Sequence, residues 1–337
     1  MTAPIRVLMI TSDWPDRASW GGTATFISRQ VDFLRAAGVS VDVFRFRGGG
    51  NPVRYASAWL GVQHRLRRER YDLVHAQFGQ SGLLALPKRL PLVVTFRGDD
   101  LEGVLSKKTG RLTARGRLLP LLSRVVARRA DATIVVSAHM KALLHRQAQP
   151  HVIPSGLDLE RFRLIPQAEA RRHLGLPADR RLVLFVGSPT SSRKRYDLAR
   201  RAVEIVKRSV PAELVLGWAV PHEQIPYFMN ACDALVFTSL QEGSPNVVKE
   251  ALACNLPVVS VAIGDVPERL HGVAGCEVSA DDRPETIAAA LVRALGRRER
   301  IASRERMLEL DEHLITQRVI GVYRSVLGSN GGGGSAT

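Results

Sequence analysis

Continuous apolar runs of strand length alternate with helical patterns along nearly the whole chain, and this alternation constrains the fold more than any other feature. A strand buried on both faces reads as an unbroken apolar run, and residues 6–11 (RVLMIT) are of that kind. Residues 23–37 then carry Phe26, Ile27, Val31, Phe33 and Leu34 at helical spacing and stop at Gly38. Further strands are expected at 39–44, 72–76, 92–96 and 132–136, with a helix at 53–70 and a basic helical stretch before the last strand. The segment 154–166 (PSGLDLERFRLIP) is rich in turn residues, and beyond it the pattern restarts. Strands are expected at 182–186, 213–216, 234–237 and 257–261, helices at 196–209, 222–231 and 245–253, and a mostly helical end from 284 to 327. Two consecutive series of strand and helix predict an α/β chain of two doubly wound domains. Its 337 residues suffice for about two domains. Ligands of such sheets sit at the carboxyl ends of the strands, so the pair should bind between the domains.

Composition excludes several classes. Apolar residues make up 45% and charged residues 24%, which is enough to build cores and argues against general disorder. No apolar run approaches the ~18 residues of a membrane span. The first residues have no signal-peptide anatomy, and Cys232, Cys254 and Cys276 lie far apart. Both features lead to the expectation of a cytoplasmic protein with reduced thiols. The net charge of +16 is unevenly spread: residues 1–156 hold 24 Lys and Arg against 10 Asp and Glu, or +14, which leaves +2 for the rest. The first half is therefore expected to meet an anionic partner, with a phosphorylated ligand and an acidic membrane surface both open. No nucleic-acid recognition motif accompanies the charge, so no nucleic acid is expected. The 28 residues between Glu102 and Asp131 contain no acid, and they mix arginines with Leu118, Leu119, Leu121, Leu122, Val125 and Val126. Those apolar side chains are expected to pack as core; the other reading is an interfacial element on anionic lipid.

Three loops could carry chemistry. Gly21 and Gly22 follow the first strand and precede a helix, where the backbone can approach an anion closely. No G-x-G-x-x-G accompanies them, so nothing supports a nicotinamide site. After the strand 182–186 comes GSPTSSRK, with Gly187 and Ser188 at the strand end and the adjacent cations Arg193 and Lys194. Such a pair could offset the charge of a diphosphate. After the strand 234–237 comes EGSPNVVKE. Ser244 reads as a helix N-cap and Pro245 as the first helical residue, so the amides near Asn246 and Val247 should face the cleft. Glu250 shares a helix face with Asn246, and its carboxylate can accept two vicinal hydroxyls. Glu242 and Gly243 lie in the loop just before. His75, Arg97 and Asp99 lie at strand ends of the first half and could reach the same cleft. No D-x-D, Walker A or G-x-S-x-G motif occurs, and no metal site is expected.

Taken together, the Gly21-Gly22 loop, VVTFRGDDL (93–101), TIVVSAHMKALL (133–144), VIPSGLDLERF (152–162), EGSPNVVKEALACNLPVVS (242–260) and HLITQRVIGVYRSVL (313–327) resemble the family 4 retaining glycosyltransferases. The resemblance extends to about Leu327. It implies the GT-B fold, two Rossmann-like doubly wound domains facing a central cleft. On that basis residues 1–156 form an acceptor-binding domain and 157–312 a nucleotide-sugar-binding domain. Residues 313–327 form a closing helix that returns to the first domain, and 328–337 a disordered linker or tag. The resemblance implies donor contacts from Glu250, Gly243, Ser244, Pro245, Asn246, Val247, Gly187 and Ser188, with Glu242, Lys194 and Arg193 in the catalytic roles. It places Gly21, Gly22, His75, Arg97 and Asp99 around the acceptor or reaction centre. A nucleotide-diphospho-sugar serves as donor, and no cofactor or metal is required. The chain departs from the family where relatives carry Gly-Arg and it has Gly187-Ser188, where relatives carry His and it has Arg97, and where relatives carry Asn and it has Ser155. Two readings follow: an enzyme that glycosylates an acceptor, anionic or lipid-linked, in envelope glycan, glycolipid or secondary-metabolite synthesis; or a catalytically silent relative that binds a nucleotide-sugar or an anionic surface. Peripheral contact with the inner face of the membrane is compatible with both.

Overall fold

A computed structural model describes residues 4–14, 25–49, 51–106, 108–144, 149–297 and 299–331. The apolar runs form two parallel sheets. The first holds β1 (Arg6–Thr11), β2 (Ser40–Arg45), β3 (Leu73–Gln77), β4 (Leu92–Phe96), β5 (Ala132–Val135) and β6 (His151–Val152) in the order β2-β1-β3-β4-β5-β6. The second holds β7 (Arg181–Val186), β8 (Ala212–Gly217), β9 (Ala234–Phe237), β10 (Val258–Ser260) and β11 (Glu277–Val278) in the order β11-β10-β9-β7-β8. All strand pairs are parallel. The two-residue strands β6 and β11 were not expected, because pieces so short carry no periodic signal, and the helix Gln167–Leu174 (QAEARRHL) was not, because it has too few apolar residues to mark a face.

Strand order reverses beside β1 in one sheet and beside β7 in the other. At such a point the loops leave toward opposite faces and open a crevice. The crevices lie beyond Thr11 and beyond Val186, at the same ends of the two sheets as the candidate loops.

Each sheet is covered on both faces. In the first domain Leu8, Ile10, Val74, Val94 and Phe96 form one core. The other face buries Val7, Met9, Ile27, Val31 and Leu34 against Ile315, Val319, Tyr323 and Val326. The last four belong to the helix Glu312–Gly331, which therefore completes the core of the first domain although it ends the chain. Its backbone stays helical through Gly331, where disorder was expected from 328 onward, and 332–337 lie outside the described residues.

The acid-free stretch forms the helix Ala114–Arg129, capped by Thr113, whose Oγ1 accepts from the Gly116 amide at 2.9 Å. Pro120 lies inside this helix and does not start it. Only part of its apolar surface packs as core: Val126 is buried, while Leu118, Leu121 and Val125 are exposed. Among the described residues, no helix is long and apolar enough to cross a membrane.

Candidate active site

The loops after β7 and β9 are stitched together before they meet any ligand. The Thr238 hydroxyl donates to the Lys194 carbonyl at 2.9 Å, and the Leu240 amide donates to the Arg193 carbonyl at 2.8 Å. Arg195, in the left-handed region at φ 52°, turns the chain into the helix Tyr196–Val206 and donates to the Thr238 carbonyl at 2.6 Å. Lys194 Nζ consequently lies 2.6 Å from Glu242 Oε1. Burial opposes charge on Glu242, but Lys194 and Arg193 outweigh it and hold the carboxyl below the usual range.

These residues form one wall of a cleft of about 670 Å³ between the domains. Of the residues singled out in the sequence, Gly187, Ser188, Arg193, Lys194, Glu242, Pro245, Asn246, Val247 and Glu250 line it, while Gly243 and Ser244 do not. Trp218 and His222 after β8 also line it, as do Asp13, Thr25 and Phe26 of the first domain. The sequence reading missed these five; Asp13, Trp218 and His222 were signalled by their place just after strand ends, and Thr25 and Phe26 by theirs at the start of the first helix. The helix Asn246–Ala253 starts at the cleft with no side-chain cap. Asn246 Oδ1 is buried there without a partner. Ser244 is not the cap: its hydroxyl donates to Asp265 Oδ2 at 2.8 Å, which draws it away from the helix amides.

Gly243 lies at the contact between domains. A Cβ there would sit 2.3 Å from the Arg97 carbonyl oxygen, and one on Gly98 would sit 3.2 Å from the Gly243 amide nitrogen. Only glycines permit this approach. Nearby, Gln241 Nε2 donates to the Gly103 carbonyl at 2.8 Å, and Arg193 pairs with Asp99 at 3.4 Å across the domain boundary.

Two residues expected at the acceptor side turn away from the cleft. His75 is fully buried in β3, with Nδ1 2.7 Å from the Tyr323 hydroxyl and Nε2 2.8 Å from Thr95 Oγ1. It anchors the closing helix and cannot reach a substrate. Arg97 donates to Gln77 Oε1 and Ser155 Oγ, each at 2.7 Å, and stacks 4.6 Å from the Phe26 ring centroid. Burial pushes its pKa down to about 10, so it keeps its charge, but behind Phe26 it is not among the residues lining the cleft. Gly21 and Gly22 lie outside the described residues. Among the described residues, no group of three His, Cys, Asp or Glu could hold a metal ion.

Burial pushes the His75 pKa down to about 3, so the native state holds it neutral. The unfolded chain binds this proton near the usual value of about 6.5. Its contribution to stability is therefore full above pH ~6.5 and is lost at about 1.4 kcal/mol per unit as the pH falls toward 3. We expect His75→Gln to be less stable than the parent at pH 7 but to lose less stability between pH 6 and 4. Urea unfolding of both proteins at each pH measures this, and parallel slopes would contradict it.

Comparison with known proteins agrees with this geometry. The family described as Glycosyltransferase Family 4 matches residues 20–161, and that described as Glycosyl transferases group 1 matches residues 183–297. The D-inositol 3-phosphate glycosyltransferase of Thermobispora bispora is 29% identical over 304 residues, covering 75% of this chain and 69% of that protein. A Bacillus subtilis relative is matched over only 58% of its length. Among solved structures, sucrose-phosphate synthase from Thermosynechococcus elongatus superposes with a TM-score of 0.78 at 19% identity, over 96% of this chain and all of the other. Anabaena HepE in complex with UDP-glucose superposes with a TM-score of 0.68 at 18% identity, over 95% of this chain and 100% of that one. The chain belongs to glycosyltransferase family 4 and has the GT-B fold.

Proposed function

We propose that the protein is a retaining glycosyltransferase that moves a sugar from a nucleotide-diphospho-sugar to an acceptor hydroxyl. The observation that carries this reading is the convergence of Lys194, Arg193, Glu242, Asn246 and Glu250 on one cleft wall, at the strand-order reversal beside β7. Lys194 and Arg193 face the diphosphate, where charge grows as the bond to the sugar breaks. The uncapped amides of the helix Asn246–Ala253 add partial positive charge at the same place. Glu250 accepts from the ribose hydroxyls, and the unpartnered Asn246 Oδ1 accepts from a further donor group of the nucleotide-sugar. Glu242 orients Lys194 and lies beside the donor sugar. The acceptor oxygen attacks on the face the diphosphate leaves, from the side of Asp13 and Phe26, and its proton passes to the departing diphosphate oxygen. The departing diphosphate takes its counter-charge from Lys194 and Arg193 and needs no essential metal. Binding of UDP-glucose by HepE supports the donor class, and the name of the Thermobispora relative supports an acceptor that carries an anion. The basic first domain attracts such an acceptor into the cleft.

A panel of nucleotide-sugars screened by thermal shift, then by turnover with the best donor, tests the reading. Stabilisation by one donor without transfer to any acceptor would favour the silent alternative. Glu250→Ala is expected to weaken nucleotide binding by about 1.5–3 kcal/mol, the range for a hydrogen bond to a charged group. Calorimetry measures this, and unchanged affinity in a folded variant would remove the ribose assignment.

A further inference from the structure

The first domain holds a second and larger hollow that the donor chemistry does not use. It measures about 1060 Å³ and opens between the helices Pro52–Arg68 and Ala114–Arg129. Its walls are largely apolar, with Tyr55, Trp59, Leu84, Leu118 and Leu122 among them. Leu118 is 54% exposed and stands in one apolar wall with Leu119 and Leu122, and a contiguous patch of this kind marks a ligand groove. Two cations, Arg47 and Arg115, stand on the same walls. Gln80 also lines the hollow, and its Oε1 is buried with no hydrogen-bond partner.

The hollow and the cleft flank a third space. A smaller space of about 430 Å³ lies at the ends of β1 and β2 and shares Ser12 and Arg47 with the apolar hollow. The same space shares Asp13 with the cleft. The shared residues run in one order, from the cleft at Asp13 to the cation Arg47 and then to the hydrocarbon walls. Residues 103–130 contribute no acid to repel an anion.

We infer that this path seats one acceptor molecule of defined layout, an anionic amphiphile. Its reacting hydroxyl reaches the cleft at Asp13, its phosphate or carboxylate lies beside Arg47, and its hydrocarbon part fills the space between Tyr55, Trp59, Leu118 and Leu122. Gln80 Oε1 accepts from a hydroxyl or N–H near the anion. The inference names the acceptor class for the transfer proposed above and rests on that reading. Apolar surface drives the fit, and the arginines select the charge.

Titration of the full chain with decyl phosphate below its micellar concentration, decyl maltoside, inorganic phosphate and anionic lipid vesicles tests this. Decyl phosphate is expected to bind at a single site, about tenfold or more tighter than decyl maltoside, with inorganic phosphate weakest. Leu118→Glu sets a carboxylate against the hydrocarbon and is expected to weaken decyl phosphate about tenfold or more, with nucleotide affinity unchanged. Arg47→Gln and Arg115→Gln should each narrow the preference for the phosphate over the maltoside. Wild-type affinity in Leu118→Glu, or equal binding of the two amphiphiles by the parent, would overturn the inference. Binding of vesicles without monomeric decyl phosphate would assign the surface to a membrane and overturn it as well. A parent chain that binds decyl phosphate as expected but no nucleotide overturns the donor reading alone.

Discussion

Lys194→Ala is expected to lower turnover about 100- to 1000-fold, the usual effect of removing one electrostatic stabiliser of the transition state. Its ammonium faces the cleft and is held 2.6 Å from Glu242. The substitution removes charge where the leaving diphosphate develops it. It also strips the partly buried Glu242 of its first partner, so some stability is lost. A second substitution separates the two effects. Adding Glu242→Gln to Lys194→Ala should restore the unfolding midpoint, because the buried carboxylate is gone, but not the rate. Lys194→Arg, which keeps the charge, should retain more turnover than either. Full turnover in Lys194→Ala would move the counter-charge to another group.

Glu312→Ala is expected to destabilise the fold by about 3–5 kcal/mol. Glu312 and Arg29 form a buried pair at 2.7 Å, and Arg29 also donates to the Gly156 carbonyl at 2.7 Å. The three groups come from the closing helix, the helix Thr25–Ala36 and the turn between the domains. Removing the carboxylate leaves a guanidinium in the interior with one carbonyl partner, and an uncompensated buried charge is what makes the loss large. Urea unfolding measures it. Pairing Glu312→Leu with Arg29→Met should recover most of the stability, since the cost lies in the orphaned charge. A single variant within ~0.5 kcal/mol of the parent, the usual range for a surface change, would show that the pair carries no such cost.

Much of the cleft was legible because its parts are local. Gly187 through Lys194 follow one apolar run, and Glu242 through Glu250 follow another. Strands that alternate with helices must form parallel sheets, whose loops gather at the carboxyl ends. Directions and partners were not legible. Ser244 satisfies every local rule for a helix cap, yet Asp265, twenty-one residues away, takes its hydroxyl. His75 sits at a strand position as suited to the cleft as to the core. It points inward because Tyr323, 248 residues later, arrives over that face.

The sequence by itself determined the two α/β domains, the strand ends from which the site is built, and the pair of loops that carry cations and carboxylates. These follow from hydrophobic periodicity and turn chemistry, which act over a few residues. The tertiary structure alone decided three things. It set the Lys194–Glu242 pair across 48 residues, the close Gly98–Gly243 contact between the domains, and the apolar hollow of the first domain. Each depends on how separate elements pack, and packing is chosen by the shapes and charges of distant surfaces together, not by any one stretch of chain.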